Sequence, residues 1–448
     1  MRSDQVVARV NELRDGGGDR FVAVRLADGF DPTILLSRHR ANGVIASYER
    51  PDVDLSLVAV GELARAELSA GATPSALRAD VARLLSAEST AEDEALRPRM
   101  LGGFAFRQDH LPGGPWAGFA CGALVLPELL FVRDRATVGV VVAPGVDPRR
   151  IAELLDPAAS DEVAPGPSLT VLRDVDRGRW RESVAAIASE VRDGLYEKAV
   201  LAASRELGGD GTIDVGATMA KLRRDYPHCH LFTVTQGDAT FLGASPELLV
   251  SVAGGAVSAL GLAGSAPRGT TEEQDAEIGR ALLESAKDRI EHETVVRAIR
   301  EALTGATHNL RAPNQPQLRK FRNIQHLSTE ISGEALPGID VLELVERLHP
   351  TPAVCGWPTD AARKVIAAHE AMDRGWYAGP VGWIDAAGDG EFAVALRSAL
   401  VRDTRAWLFA GNGIMGDSDP AAELAEVELK FNPLTEALSG TAPSGTAL

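Results

Sequence analysis

The chain has 448 residues, 45% of them hydrophobic, and its 63 acidic against 46 basic side chains leave a formal charge of −17. With no lysine or arginine block to offset it, that balance argues against nucleic acid as a partner, while a small anion can still be held inside a cleft. Cys121, Cys229 and Cys355 are isolated and odd in number, giving no sign of a disulfide framework or zinc site and predicting a reducing, cytoplasmic setting. The first residues lack an apolar signal core and no run reaches membrane-spanning length, so neither export nor a membrane is expected.

In chain order, residues 1–155 mix strand-like pieces at 21–26, 58–60 and 123–126 with an alanine-rich helical stretch around 76–85. They are predicted to complete the scaffold rather than to form a separate catalytic module. Residues 156–168, rich in proline, alanine and acids, read as a linker. The region 169–437 carries the clustered polar groups and is expected to hold the chemistry. It opens with an amphipathic helix at 180–195 and a short strand at 198–202. Strand pairs follow at 231–234 with 240–242 and at 248–253 with 256–260, the second closed by Gly254-Gly255. Ile278, Leu282, Ile290, Val296 and Ile299 recur near the helical period, which predicts one long helix over 272–303, capped at Thr270 or Thr271 and broken near Ala286. Residues 304–317 read as loop, strands follow at 381–384, 392–400 and 406–410, an acidic helix closes the region, and 438–448 form a flexible tail. Strands in runs with helices in blocks between them predict an α+β fold of layered antiparallel sheets covered by helices.

Asp288, Glu291 and His292 share one predicted helix; Glu423, Glu426 and Lys430 share another, after the turn Ala410-Gly411-Asn412-Gly413-Ile414. Carboxylates three apart lie on one helix face. Two such faces brought together are costly unless a cation neutralises them, and magnesium, which takes few carboxylates and leaves places for water and an anionic substrate, is the expected cofactor. Lys198, a lone lysine entering an apolar strand, is either a strand-end lysine with its head in water or a desolvated base. Glu247, in the turn after Ser245-Pro246, is either a surface acid or a buried proton donor. Arg397 interrupts the apolar stretch 394–396 and either closes an ion pair or grips a carboxylate through its planar fork; Tyr377 adds a hydroxyl or simply packs. Gly411-Asn412-Gly413-Ile414-Met415-Gly416 matches a dinucleotide fingerprint, but no second parallel strand ending in an acid follows. Glycines that let backbone amides approach a carboxylate explain it better.

Together these pieces resemble the chorismate-utilising enzymes, the group of isochorismate, salicylate, anthranilate and aminodeoxychorismate synthases, over roughly residues 170 to 437. The segments that carry the resemblance are 241–248, Leu262-Ala263-Gly264-Ser265, Lys287-Asp288-Arg289-Ile290-Glu291-His292, 348–356, 374–383 and Glu423-x-x-Glu426-x-x-x-Lys430. The resemblance implies the fold of anthranilate synthase component I. It also implies that Mg2+ bridges Glu291 and Glu426 to the ring carboxylate of chorismate, with Asp288 and Glu423 holding its waters. Gly264, Ser265, Gly411 and Gly413 would line the carboxylate and ring, and Tyr377 and Arg397 would hold the enolpyruvyl carboxylate. His326, Ala353 and Lys430 match further substrate-contacting positions.

Family members that use ammonia carry glutamine where this chain has Lys198, so lysine implies water as the nucleophile, with Glu247 protonating the departing hydroxyl. Ala263 stands where aminodeoxychorismate synthases carry a lysine, and Ala353 where anthranilate and salicylate synthases typically show threonine. The expected activity is therefore magnesium-dependent conversion of chorismate to isochorismate by a monomer without an amidotransferase subunit. The alternatives are a salicylate synthase that goes on to eliminate pyruvate, or a silent chorismate-binding homologue, prompted by two departures from the family pattern, Ala203 in place of arginine and Asn412 in place of alanine.

Overall fold

The computed structural model describes residues 3–15, 19–155, 166–322 and 324–439. Most of the predicted linker and of the predicted tail lies outside these residues. Apolar strands joined by tight turns form antiparallel ladders, as at Leu248–Ala253 and Ala256–Pro267, where Gly254 and Gly255 both take the left-handed conformation that closes the hairpin. Two ladders join the first 155 residues to the rest. Strand Val44–Arg50 pairs with both Leu55–Leu68 and His230–Gln236, and Arg99–Phe104 pairs with both Gly122–Asp134 and Pro380–Asp385. The architecture is α+β, with helices such as Arg177–Arg192, Ala286–Leu303 and Pro420–Leu438 on the sheets.

An aromatic cluster fills the space between the halves. Trp116 is fully buried, stacks on Phe409 at 5.3 Å between ring centroids and meets Phe241 edge-on at 5.2 Å. Phe119 meets Trp376 at 5.3 Å, and the Trp376 indole N–H donates to the Ala120 carbonyl at 2.8 Å. Each buried ring contributes about 1.5–3 kcal/mol by the area it removes from water, and each such pair adds about 0.5–1.5 kcal/mol. The cluster thereby fixes the turn 374–379 and the strand Arg405–Ile414, which both face the site described below.

The helix predicted over 272–303 with a break near Ala286 is two helices, Glu272–Glu284 and Ala286–Leu303, because Ser285 is extended and caps the second helix through its hydroxyl, which accepts from the Asp288 N–H. Two other predicted elements differ. The predicted loop 304–317 contains strand Thr307–Arg311, and Gln317–Lys320 follows; both pair with Ile324–Ala335. They lie on exposed sheet, so no apolar alternation marks them. The predicted strand 392–400 breaks into Gly390–Val394 and Ser398–Arg402, because Arg397 is left-handed at φ 47°.

Gly375 is left-handed at φ 51°, and a Cβ there would lie 2.2 Å from the Trp116 ring. Gly375→Ala is therefore expected to destabilise the chain by about 1–3 kcal/mol through overpacking, read as a lower urea midpoint. An unchanged midpoint would show that the aromatic cluster does not fix this turn.

Candidate active site

Every residue singled out from the sequence as catalytic, substrate-binding or metal-binding lines one cavity of about 210 Å³. Lys198 opens strand Lys198–Gly209, held between Gly356-Trp357 on one side and Arg405–Ile414 on the other. Its side chain is 2% exposed and its ammonium stands 2.6 Å from Glu291 Oε1. A lysine head in water is thus excluded, but Lys198 is a paired group rather than a bare desolvated one. Gly413 makes room for the pair: a Cβ there would lie 2.3 Å from Lys198 Cε and 3.1 Å from Glu291 Oε1.

Glu247 follows strand Ala239–Ser245 and is 3% exposed. Its N–H donates to Ser245 Oγ at 3.2 Å and its carbonyl accepts from the Val394 N–H at 3.0 Å, which anchors the turn inside the protein. Burial pushes its carboxyl up to about 8, against the pull of the Lys198 charge and the Thr351 hydroxyl. A glutamate in this state is protonated at neutral pH and able to donate.

Gly264 is left-handed at φ 73° and sits at an irregularity between Ala263 and Ser265, where the register against Ile324–Ala335 shifts. The bulge turns Ser265 towards His326, whose Nδ1 lies 2.8 Å from Ser265 Oγ. His326 is held down to about 3, first by burial and then by the charges of Arg397 and Lys430, so it is neutral, and its buried Nε2 has no hydrogen-bond partner among the described residues. The carbonyl of Arg397 accepts from the Ala244 N–H at 3.1 Å, but its half-buried guanidinium makes no hydrogen bond or ion pair among the described residues, and the backbone turn points it at the cavity that Tyr377 also lines. Of the two readings left open by the sequence, the ion pair is absent. The Tyr377 ring stacks on Phe409 at 5.5 Å and is 3% exposed. Ala353 sits half-buried in the turn after Thr351.

The acidic helices converge as predicted, but they bring their own counter-charges. Lys430 donates to Glu426 Oε1 at 2.8 Å, to Asn412 Oδ1 at 2.7 Å and to the Gly411 carbonyl at 2.9 Å. Its ammonium thus has three protein partners, and Lys430 still lines the cavity. Glu423 accepts from Ser418 at 2.7 Å and from the Asn412 amide at 2.9 Å; burial, and then the neighbouring Glu426, push its carboxyl up. Burial raises Glu426 as well, but the Lys430 charge and hydrogen bond, then Arg397 and Lys287, outweigh it and hold that carboxyl down. Among the described residues no three His, Cys, Asp or Glu side chains converge as ligands of one ion. Asp288, Glu291, Glu423 and Glu426 nonetheless offer carboxylates to one cavity from two helices. That donor set suits an ion that takes one or two carboxylates and completes its shell with water and substrate.

Sequence reasoning missed Phe409, Leu396 and Lys287, which also line the cavity. Phe409 and Leu396 lie within predicted apolar strands, and Lys287 entered only as part of the segment 287–292.

A family model described as "Chorismate binding enzyme" matches residues 16–439, and the chain belongs to that family. It is 40% identical over 379 residues to the salicylate biosynthesis isochorismate synthase of Pseudomonas aeruginosa, covering 80% of this chain and 77% of that protein. It is 36% identical over 363 residues to the isochorismate synthase MenF of Bacillus subtilis, covering 79% and 77%. The solved structure of MenF, the menaquinone-specific isochorismate synthase from Escherichia coli, matches with a TM-score of 0.79 at 27% identity over 98% of this chain and 100% of that one. Anthranilate synthase component I from Streptococcus pneumoniae shares the fold, with a TM-score of 0.71 at 21% identity over 94% and 100%. No helix among the described residues is long and apolar enough to cross a membrane.

The raised Glu247 carboxyl has a consequence for stability. The folded chain holds a proton there from the model-compound value of 4.5 up to about 8, so this contribution to stability is fully present below 4.5 and is lost as pH rises through 8. Glu247→Gln is expected to remove that dependence: wild-type stability relative to the variant falls between pH 5 and 8 in urea titrations. A constant difference across that range would mean that Glu247 is ionised.

Proposed function

We propose that the chain converts chorismate to isochorismate in a magnesium-dependent reaction, adding water at C2 as the C4 hydroxyl leaves. The observation that carries this reading is a buried Glu247, its carboxyl pushed up to about 8 by burial, sharing one small cavity with the amine of Lys198. Lys198, once neutral, takes a proton from water as the water oxygen bonds to C2. The ring double bonds shift, the C4–O bond breaks, and Glu247 gives its proton to the departing oxygen. One water enters and one leaves, so substrate and product are isomers. Glu291 neutralises the ammonium in the resting pair; Lys198 gives that proton to solvent before it acts as base, which leaves the Glu291 carboxylate free.

Arg397 and Tyr377 hold the enolpyruvyl carboxylate, supported by the lack of any acid bonded to Arg397 among the described residues. Ser265 fixes the His326 ring, leaving its Nε2 for the substrate. Magnesium, held by Glu291 and Glu426 with Asp288 and Glu423 steadying its waters, would supply positive charge opposite the ring carboxylate. Ala353 offers a methyl where anthranilate and salicylate synthases typically carry threonine, and the relatives named as isochorismate synthases support stopping before pyruvate is lost. Water as nucleophile asks for no ammonia-supplying subunit.

Incubation with chorismate and magnesium is expected to give isochorismate by chromatography, with no pyruvate detected by coupled lactate dehydrogenase. Anthranilate formed only with ammonia would sink the reading. Lys198→Ala is expected to lower kcat by about a hundred- to ten-thousand-fold while chorismate still binds. Glu426→Gln is expected to weaken magnesium binding in calorimetric titration; unchanged affinity would remove Glu426 from the metal site.

A further inference from the structure

Arg374 and Glu370 form an ion pair whose side chains are 2% and 4% exposed. Arg374 Nε donates to Glu370 Oε2 at 2.9 Å, and Nη2 donates to Oε1. The remaining bonds reach outward from the pair. Arg374 Nη1 donates to the Val354 carbonyl at 2.7 Å and Nη2 to the Val200 carbonyl at 2.9 Å, while Glu370 Oε1 accepts from the Ala202 N–H at 2.8 Å. The guanidinium lies 4.1 Å over the Phe106 ring, and the Arg374 carbonyl accepts from the Tyr377 N–H at 2.9 Å.

These partners belong to three pieces of the cavity wall. Val200 is two residues beyond Lys198, Val354 follows Ala353, and Tyr377 closes the turn that Arg374 begins. The lysine strand needs this support. Its ladder with Gly356-Trp357 ends at Ala199 and its ladder with Leu169–Arg173 begins only at Glu206, so its outer edge has no strand partner between them. The ion pair takes up two of the backbone groups that a neighbouring strand would otherwise bond. Neither Arg374 nor Glu370 lines the cavity itself.

We propose that Arg374 and Glu370 are positioning residues: the pair sets how far Lys198, Ala353 and Tyr377 enter the cavity, joining the lysine strand to both of the turns opposite it. This rests on the reading of the reaction given above. A displacement of about 1 Å in such a group costs about a hundredfold in rate, which is the size of effect at stake.

The test measures chorismate turnover, chorismate affinity and urea midpoint together. Arg374→Ala is expected to lose about a hundredfold in kcat/KM, and added ethylguanidinium to restore at least about tenfold of it where ethylammonium does not. Arg374→Lys keeps the charge but not the fork, and is expected to be impaired like the alanine variant. Glu370→Gln, which keeps an acceptor for the Ala202 N–H but gives up the charge that orients Arg374, is expected to lower kcat/KM by about tenfold. Folded variants with kcat and KM close to wild type would overturn the proposal, as would losses that vanish at temperatures where the variants are as folded as wild type. Where Arg374→Ala does not fold, the kcat and KM of Glu370→Gln decide. A wild-type chain that binds chorismate without converting it removes the reading of the reaction, and affinity then decides: binding weakened by about tenfold in Arg374→Lys supports positioning, and unchanged binding overturns it.

Discussion

A lysine ammonium that is 2% exposed survives folding only where a carboxylate meets it, and the 2.6 Å contact between Lys198 and Glu291 is the condition on which the whole cavity depends. It ties the first residue of a central strand to the helix Ala286–Leu303, which must therefore lie over the sheet at one height. Gly413 is a consequence, since any side chain there would enter the space of the pair. Gly264 is another: a Cβ would meet Asp288 at 3.1 Å, so the bulged strand approaches the same helix only without one. The two glycines lie on different strands and serve a single helix.

The second acidic helix is balanced in the same way. Lys430 neutralises Glu426 while Asn412 and Ser418 satisfy Glu423, so each carboxylate has a protein partner before any ligand arrives. Against this background Arg397 stands out, a cation facing the cavity with no hydrogen-bonded or ion-paired acid among the described residues. Charge balance inside the protein thus locates where an anion is wanted better than a count of acids does.

That distinction also explains what the sequence could and could not tell. Spacing brought Asp288 with Glu291 and Glu423 with Glu426 onto two helix faces, and motif order placed the remaining site residues in one cavity. Linear order cannot reveal that Lys198 and Glu291, far apart along the chain, cancel each other, so four acids looked uncompensated. Strand alternation could not show the left-handed turn at Arg397, because apolar residues continue on both sides of it. The edge strand Thr307–Arg311 escaped for the opposite reason, having no apolar face to mark it. Arg374 drew no attention as a functional residue because its value lies in carbonyls from two distant segments, which no local pattern encodes.

The two departures from the family pattern differ in weight once they are placed. Side chains alternate along a strand, so Ala203 points to the face opposite Lys198 and does not line the cavity. Arg205, on the same face as Ala203, lies over the Phe431 ring at 4.8 Å and bonds Asp174 at 2.9 Å, so a guanidinium still packs against the closing helix. Asn412 is different: it lines the cavity, donates to Glu423 and accepts from Lys430. An alanine could make none of these bonds, so the Glu423 carboxylate and the Lys430 ammonium would each have to find another partner, and the cavity is where one lies. Asn412 therefore ties two charged groups of the cavity wall to the protein, whereas the Arg397 guanidinium has no hydrogen-bonded or ion-paired partner among the described residues.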